Sequence, residues 1–448
     1  MSESPGRREK PRLVLRGARA VLPDGATDGA VSVVCEGGRI RRIERQLDVQ
    51  AGPRDPGAEI VDVDGRWILP GLVDLQVNDI AWLARGLQDP AAHAGRIREV
   101  LKHQVGRGVT GVVLATLAAP VEEVLAYLVG MKHVLDETEG PADAAFLGGL
   151  VEGTFMNPEC PGAHNPKWVL RPDRALLDRF LATTAMRLVN IAPEMAEDAV
   201  DLVRYATDRG VVVGCGHAKP HGERLREAVE AGLRYIIHLG NGPTGSNLKG
   251  FHDGGMLEES LRNDRLVVTL ILDGYHIHPR LLRDWIARKE VSRVVGVSDA
   301  GFATGPPDGE FEVFGIRGRL SENREFLHVV RPPGSPAPNP LSSDRVALFG
   351  SAIDQLGVLE FTLNLLSREM DGVHTRRHAA WPFARALEAA VAMTSTNPSR
   401  LLGLDDRGRL EPDARADFLV ARIDGTPGAY RVRVERTFLG GKTGTVTV

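Results

Sequence analysis

Cysteine is almost missing from this chain. Its 448 residues hold three, Cys35, Cys160 and Cys215, with no CxxC pair. An odd number of thiols without paired spacing excludes a disulfide-held secreted scaffold, and a reducing compartment, the cytoplasm, is expected. Neither sign of charge dominates: Lys plus Arg number 55 and Asp plus Glu 59, for a net charge of −4. That balance excludes a protein that coats nucleic acid, and equally a polybasic membrane binder. Long apolar runs are lacking too. The longest, such as 266–272, have strand length and fall far short of the ~20 residues of a membrane span. The first ten residues, MSESPGRREK, contain no apolar core, so no signal peptide is expected there. Glycine and proline, 50 and 28 residues, follow no period, which excludes a collagen-like chain.

What is present reads as alternation. Short apolar runs at 71–78, 109–117, 146–154, 186–193, 211–217, 234–241, 265–273 and 293–299 are separated by amphipathic helical stretches such as 174–185, 196–209 and 223–232. Strands alternating with helices predict parallel βα units, and eight of them favour a closed (β/α)8 barrel of the TIM type over an open sheet. Helices are also expected at 353–369 and 380–395, and a surface loop at the Pro/Gly-rich stretch 331–340. The two ends have another texture. Residues 13–15, 30–35 and 40–43, and then 416–421 and 430–439, are β-rich and divided by turn residues. The expected architecture is a barrel over 69–405 beside a small β-sandwich domain built from both chain ends, 11–68 plus 406–448.

Chemistry in such a barrel gathers at the C-terminal ends of its strands. The polar residues ending these runs are Gln76 and Asn78 on the first, Glu152 on the third, His217 on the fifth, His238 on the sixth and Asp299 on the eighth. The period of two along a strand puts Gln76 and Asn78 on one face. Taken singly, a strand-end histidine is more often an ordinary hydrogen-bonded residue than a ligand, and a strand-end carboxylate more often caps a helix or pairs with a cation. Two imidazoles and two carboxylates on one rim are, by donor type, a metal site. Cys215, two residues before His217, would share its strand face. It is expected to pack, and it is the reserve candidate for a ligand. Gly37–Gly38 and Gly254–Gly255 are lone turn signals, and His221 and His278 carry no defined role.

Several segments resemble the amidohydrolase superfamily, and within it the N-acetylglucosamine-6-phosphate deacetylases. They are ILPGLVDLQVN over 68–78, VEGTFMNPE over 151–159, GAHNP over 162–166, IAPE over 191–194, Gly216-His217, HLGN over 238–241, DGYH over 273–276, Ser298-Asp299-Ala300, and the closing 394–404 and 414–419. The resemblance spans roughly 60 to 445, and GAHNP is its most specific part. It implies one divalent metal ion, most simply zinc, held by Glu152, His217 and His238, and Asp299 as general base and then acid. Gln76 and Asn78 would stand where binuclear relatives carry His-x-His, as a vestige of a second metal position. His164, Asn241, Gly242, His252 and His276 would bind the substrate, a small N-acetyl amino sugar, and the enzyme would be a homodimer. The pattern departs most at His252, which stands where the family carries an arginine that pairs with the 6-phosphate; Lys249 lies nearby as a compensating charge. An insertion follows Asp299. The expected reaction is therefore metal-dependent hydrolysis of the acetamide of N-acetylglucosamine-6-phosphate or a related N-acetylated sugar. A deaminase or cyclic amidase on the same fold, and an inactive binding relative, are the alternatives.

Overall fold

The computed structural model describes residues 12–27, 29–45, 57–78, 87, 89–137, 145–242, 253–302, 309–330 and 347–444. Eight parallel strands form one sheet in chain order: Leu72–Val77, Val109–Thr116, Ala145–Phe155, Met186–Ile191, Val212–Cys215, Tyr235–Ile236, Val267–Ile271 and Val294–Val297. They match the eight apolar runs, although the sixth is only two residues long. Helices pack between successive strands, and aspartates set several of their starts. The Asp89, Asp173 and Asp354 side chains accept the orphan first-turn N–H groups of Pro90–Gly106, Arg174–Ala182 and Gln355–Ser367.

Apolar residues separate into two layers across this sheet. Val151, Val213, Cys215 and Ile236 face the helices. Val73, Leu75, Leu150, Ile237, Val295 and Val297 fill the interior, so the barrel is a packed core and not a pore. It closes between its first and last strands. At the C-terminal end the Asn78 N–H donates to Ala300 O at 2.9 Å. Deeper down, the buried Gln355 side chain donates from Nε2 to Val73 O and Gly296 O at 2.9 and 2.8 Å, so a side chain bridges the two strands where a backbone ladder would otherwise run.

The chain ends meet in a separate nine-stranded sheet system. Its first strand, Arg12–Leu22, bends at Gly17, whose φ of 72° suits glycine. It pairs with Val31–Glu36 as far as Ala18 and, from Arg19, with Trp67–Pro70. Trp67–Pro70 in turn pairs with Phe418–Asp424 from the other end of the chain. Leu15, Ile40, Phe418 and Phe438 are fully buried in the enclosed core, in keeping with the β-rich reading of both ends.

The region after Asp299 differs from its reading as an insertion of undefined form. It builds a four-stranded antiparallel sheet from Glu310–Val313, Ile316–Leu320, Phe326–Val330 and Leu348–Ser351. The period of two in EFEV over 310–313 and IRGRL over 316–320 is the signal from which these strands could have been read. This cap leans on the barrel rim. Asn165 Nδ2 donates to Phe314 O at 3.0 Å, the Tyr275 hydroxyl donates to Glu325, and Leu117 and Ala163 pack against Val313, Leu320, Leu327 and Phe349. The stretch expected as a surface loop, 331–340, lies outside the described residues.

Candidate active site

Four of the predicted side chains converge around one carboxylate oxygen at the mouth of the barrel. Glu152 Oε1 lies 2.7 Å from His238 Nε2, 3.5 Å from His217 Nε2 and 3.9 Å from His164 Nε2. The rings stand edge to face, with centroids 4.8 Å apart for both His164–His217 and His217–His238. All four residues are buried.

Strand alternation alone would not bring them together. Cys215 and Ile236 face the helices, so a continued period of two would send His217 and His238 out of the barrel. Both histidines instead take left-handed backbone, with φ of 48° and 29°, and Asp299 does the same at 50°. That conformation is costly for a residue with a Cβ and collects at functional sites. Here it turns the imidazoles into the mouth. Cys215 therefore does not share the face of His217, against the sequence reading. Burial holds its thiol well above the ordinary range, which leaves it a packing residue.

Hydrogen bonds to the far nitrogens decide what each imidazole can do. His217 Nδ1 lies 2.9 Å from Cys160 O. A carbonyl only accepts, so the proton is on Nδ1 and the Nε2 lone pair faces Glu152. His164 is the reverse: Ala118 N–H donates to its Nδ1 at 3.1 Å, which puts the proton of the neutral ring on Nε2. His238 Nδ1 is buried with no partner.

Charge follows from this packing. Burial pushes the Glu152 carboxyl up, but the imidazoles of His164, His217 and His238 gathered around it outweigh burial and hold it well below the usual range. Burial lowers His217 to about 4, which keeps it neutral. Asp299 is raised to about 6, first by burial and then by the Glu152 charge. The Oδ1 atom of Asp299 accepts hydrogen bonds from Gln76 Nε2 at 2.9 Å and Asn78 Nδ2 at 2.6 Å.

The remaining predicted residues are placed unevenly. His276 Nδ1 is 2.6 Å from Asp273 Oδ2. Asn241 Nδ2 donates to His238 O at 3.2 Å. Gly242 lies against His217, where an added Cβ would stand 2.6 Å from Nδ1; at Gly162 it would stand 2.7 Å from Cε1. Replacing either glycine by alanine should push the ring off Cys160 O and weaken metal binding by about 10–100-fold, the usual loss when a ligand is no longer oriented. A chelator-competition titration with unchanged affinity would remove that role. His252 and Lys249 lie outside the described residues.

Sequence reasoning missed Asn190. Its buried amide donates to Glu152 O and Gly216 O, both at 3.1 Å, and accepts Gly216 N–H at 2.8 Å. It thus ties three strands together at the residues next to His217. The signal was available: a carboxamide inside the apolar run 186–193 must find partners. Gly153 was missed as well. A Cβ there would stand 1.9 Å from Ala118 N, so glycine admits the backbone that orients His164.

Comparison with known proteins finds relatives along most of the chain. The amidohydrolase family model matches residues 67–444. The chain is 28% identical over 365 residues to N-acetylgalactosamine-6-phosphate deacetylase of Escherichia coli O157:H7, covering 80% of this chain and 85% of that one. It is 30% identical over 292 residues to N-acetylglucosamine-6-phosphate deacetylase of Vibrio furnissii, covering 63% and 67%. The fold resembles the crystal structure of N-acetyl-D-glucosamine-6-phosphate deacetylase from Mycobacterium smegmatis, with a TM-score of 0.75 at 21% identity over 97% and 99% of the two chains. Among the described residues no helix is long and apolar enough to cross a membrane. With the barrel, its rim of imidazoles and carboxylates, and a family match running through both, the chain belongs to the amidohydrolase family.

Proposed function

We propose that this enzyme hydrolyses the acetamide of an N-acetylated hexosamine to acetate and the free amine. The observation that carries the reading is the pair of opposite tautomers set on His217 and His164, one ring prepared to ligate and its neighbour to donate.

Glu152, His164 and His217 bring their ligand atoms within 4.8 Å of one another. The Ala118 bond removes His164 from a ligand set, because its Nε2 carries the proton. Glu152, His217 and His238 then remain, one carboxylate and two imidazoles, which suit zinc. A divalent cation bound there supplies Lewis acidity at the scissile carbonyl and lowers the pKa of the attacking water.

The chain's own groups do the rest. Asp299 takes a proton from the attacking water. It then delivers that proton to the departing nitrogen, since an amide anion is too poor a leaving group. The His164 Nε2–H donates to the carbonyl oxygen as negative charge builds on it. His276, fixed by Asp273, would bind the sugar together with Asn241 and Gly242, as the deacetylase resemblance implies. The barrel, 69–405, carries this chemistry, and the unit formed by 11–68 and 406–448 supports it. A homodimer working in the cytoplasm accords with the deacetylase resemblance.

Amine release by zinc-loaded protein tests the reading on N-acetylglucosamine-6-phosphate, N-acetylgalactosamine-6-phosphate and unphosphorylated N-acetylglucosamine. Turnover of at least one is expected, and none from any of the three overturns it. A bidentate arginine–phosphate pair contributes about 10–150-fold. With histidine at 252 that margin should be missing from the kcat/KM ratio of the phosphorylated to the plain sugar.

A further inference from the structure

The first barrel strand ends in two carboxamides that deliver their N–H groups to a single atom. Gln76 Nε2 and Asn78 Nδ2 both donate to Asp299 Oδ1, at 2.9 and 2.6 Å, and all three residues are buried. A carboxylate only accepts, so both amides are compelled to face it with nitrogen. For Asn78 this leaves Oδ1 buried with no donor. Buried acceptors are rarely left unsatisfied, and one that persists calls for a reason. Here the reason is that the nitrogen of the same amide is committed to Asp299. The surroundings lock the arrangement. Asp74 accepts hydrogen bonds from the N–H groups of Gln76 and Ser298 and from the Ser298 hydroxyl, and Asn78 N–H bonds Ala300 O. The backbone carrying the amides and the backbone carrying the carboxylate therefore move as one unit. No described residue donates to Asp299 Oδ2.

We propose that Gln76 and Asn78 are positioning residues for the general base, a carboxamide clamp that stops rotation of the Asp299 carboxylate and reserves Oδ2 for the proton in transit. This rests on the deacetylase reading above. The terminal torsion of an aspartate is broad and turns freely unless something holds it. Two N–H groups on Oδ1 hold it, and they also make Oδ1 a poor place for a proton, whose hydrogen would point at theirs. One O–H bond of water breaks as the Oδ2–H bond forms and the water oxygen bonds the carbonyl carbon. The Oδ2–H bond then breaks as its proton joins the nitrogen and the C–N bond opens, giving the amine and acetic acid, whose remaining proton passes to solvent to leave acetate. The two amides take up no proton at any step. They are working parts of a one-metal site and not only the remains of a second.

Four single variants test the clamp. Asn78→Ala and Gln76→Ala remove the donors; Asn78→Leu and Gln76→Met fill the space without an N–H group, which covers the case that the alanine variants fold poorly. Each should lower kcat by about 10–100-fold, a part of what a general base supplies, with KM and bound zinc unchanged. In an Asp299→Asn background, Asn78→Ala should cause no further loss, because groups that act through one another are not additive. Crystal structures of the zinc-loaded variants should show the Asp299 carboxylate rotated. Wild-type kcat in all four variants, or a full additional loss in the Asp299→Asn background, overturns the clamp and leaves the deacetylase reading standing. If the wild type releases no amine from any N-acetylated sugar, that reading fails instead. The structures then still decide, since an unmoved Asp299 carboxylate in the variants overturns the clamp.

Discussion

Asp299→Asn is expected to lower kcat for amine release by about 10²–10⁴-fold, the range a positioned general acid–base supplies, while zinc stays bound at one per chain. The substitution is nearly isosteric. Its Oδ1 can still accept from Gln76 and Asn78, so the barrel seam and the three proposed ligand residues are left in place. What disappears is the oxygen that takes the proton. The wild type should also show an acid limb. Burial and the Glu152 charge raise Asp299 to about 6. Above that pH the carboxylate is ionised and ready; as pH falls through it, the base is protonated and kcat/KM should drop about tenfold per unit. The asparagine variant should lose that limb. A variant retaining kcat, or a wild-type profile flat from pH 5 to 8, would remove Asp299 from the role.

Glu152→Ala is expected to empty the site. Glu152 is the anion at its centre, and three imidazoles turn toward its Oε1. Removing it leaves a divalent cation with neutral ligands only, in a pocket that excludes water from Glu152, His217 and His238 almost completely. Charge without compensation is costly in such surroundings. The loss of affinity should exceed the about 10–100-fold typical of an outer partner. Metal analysis after dialysis against a weak chelator should find well under one ion per chain, with activity lost in parallel. Stoichiometric metal in the dialysed variant would mean that His217, His238 and another group suffice, and His164 would be the first to reconsider.

The two substitutions separate the metal from the proton. Asp299→Asn keeps the ion and loses chemistry, whereas Glu152→Ala loses both. Adding zinc in excess should restore part of the activity to the second and none to the first.

Much of this molecule was legible in its sequence because the determinants are local. Alternating apolar runs and amphipathic helices require only neighbouring residues, so the eight strands and the β-rich ends could be read directly, and 109–117 matches Val109–Thr116 almost residue for residue. Strand-end chemistry was legible for the same reason: Glu152, His217, His238 and Asp299 each close an apolar run. Tertiary structure alone decided which nitrogen of His217 and of His164 is free. Cys160 O and Ala118 N–H lie 57 and 46 residues away from the rings they address, and no spacing rule encodes such a contact. It also decided that His217 and His238 leave the alternation of their strands, through left-handed backbone that the packed rim enforces. And it decided that Gln76 and Asn78 bind one oxygen of a carboxylate more than 200 residues further on. Period and ligand type follow from covalent neighbours and composition; tautomer, ring direction and the partner of a carboxamide follow from atoms that only folding brings within hydrogen-bond distance.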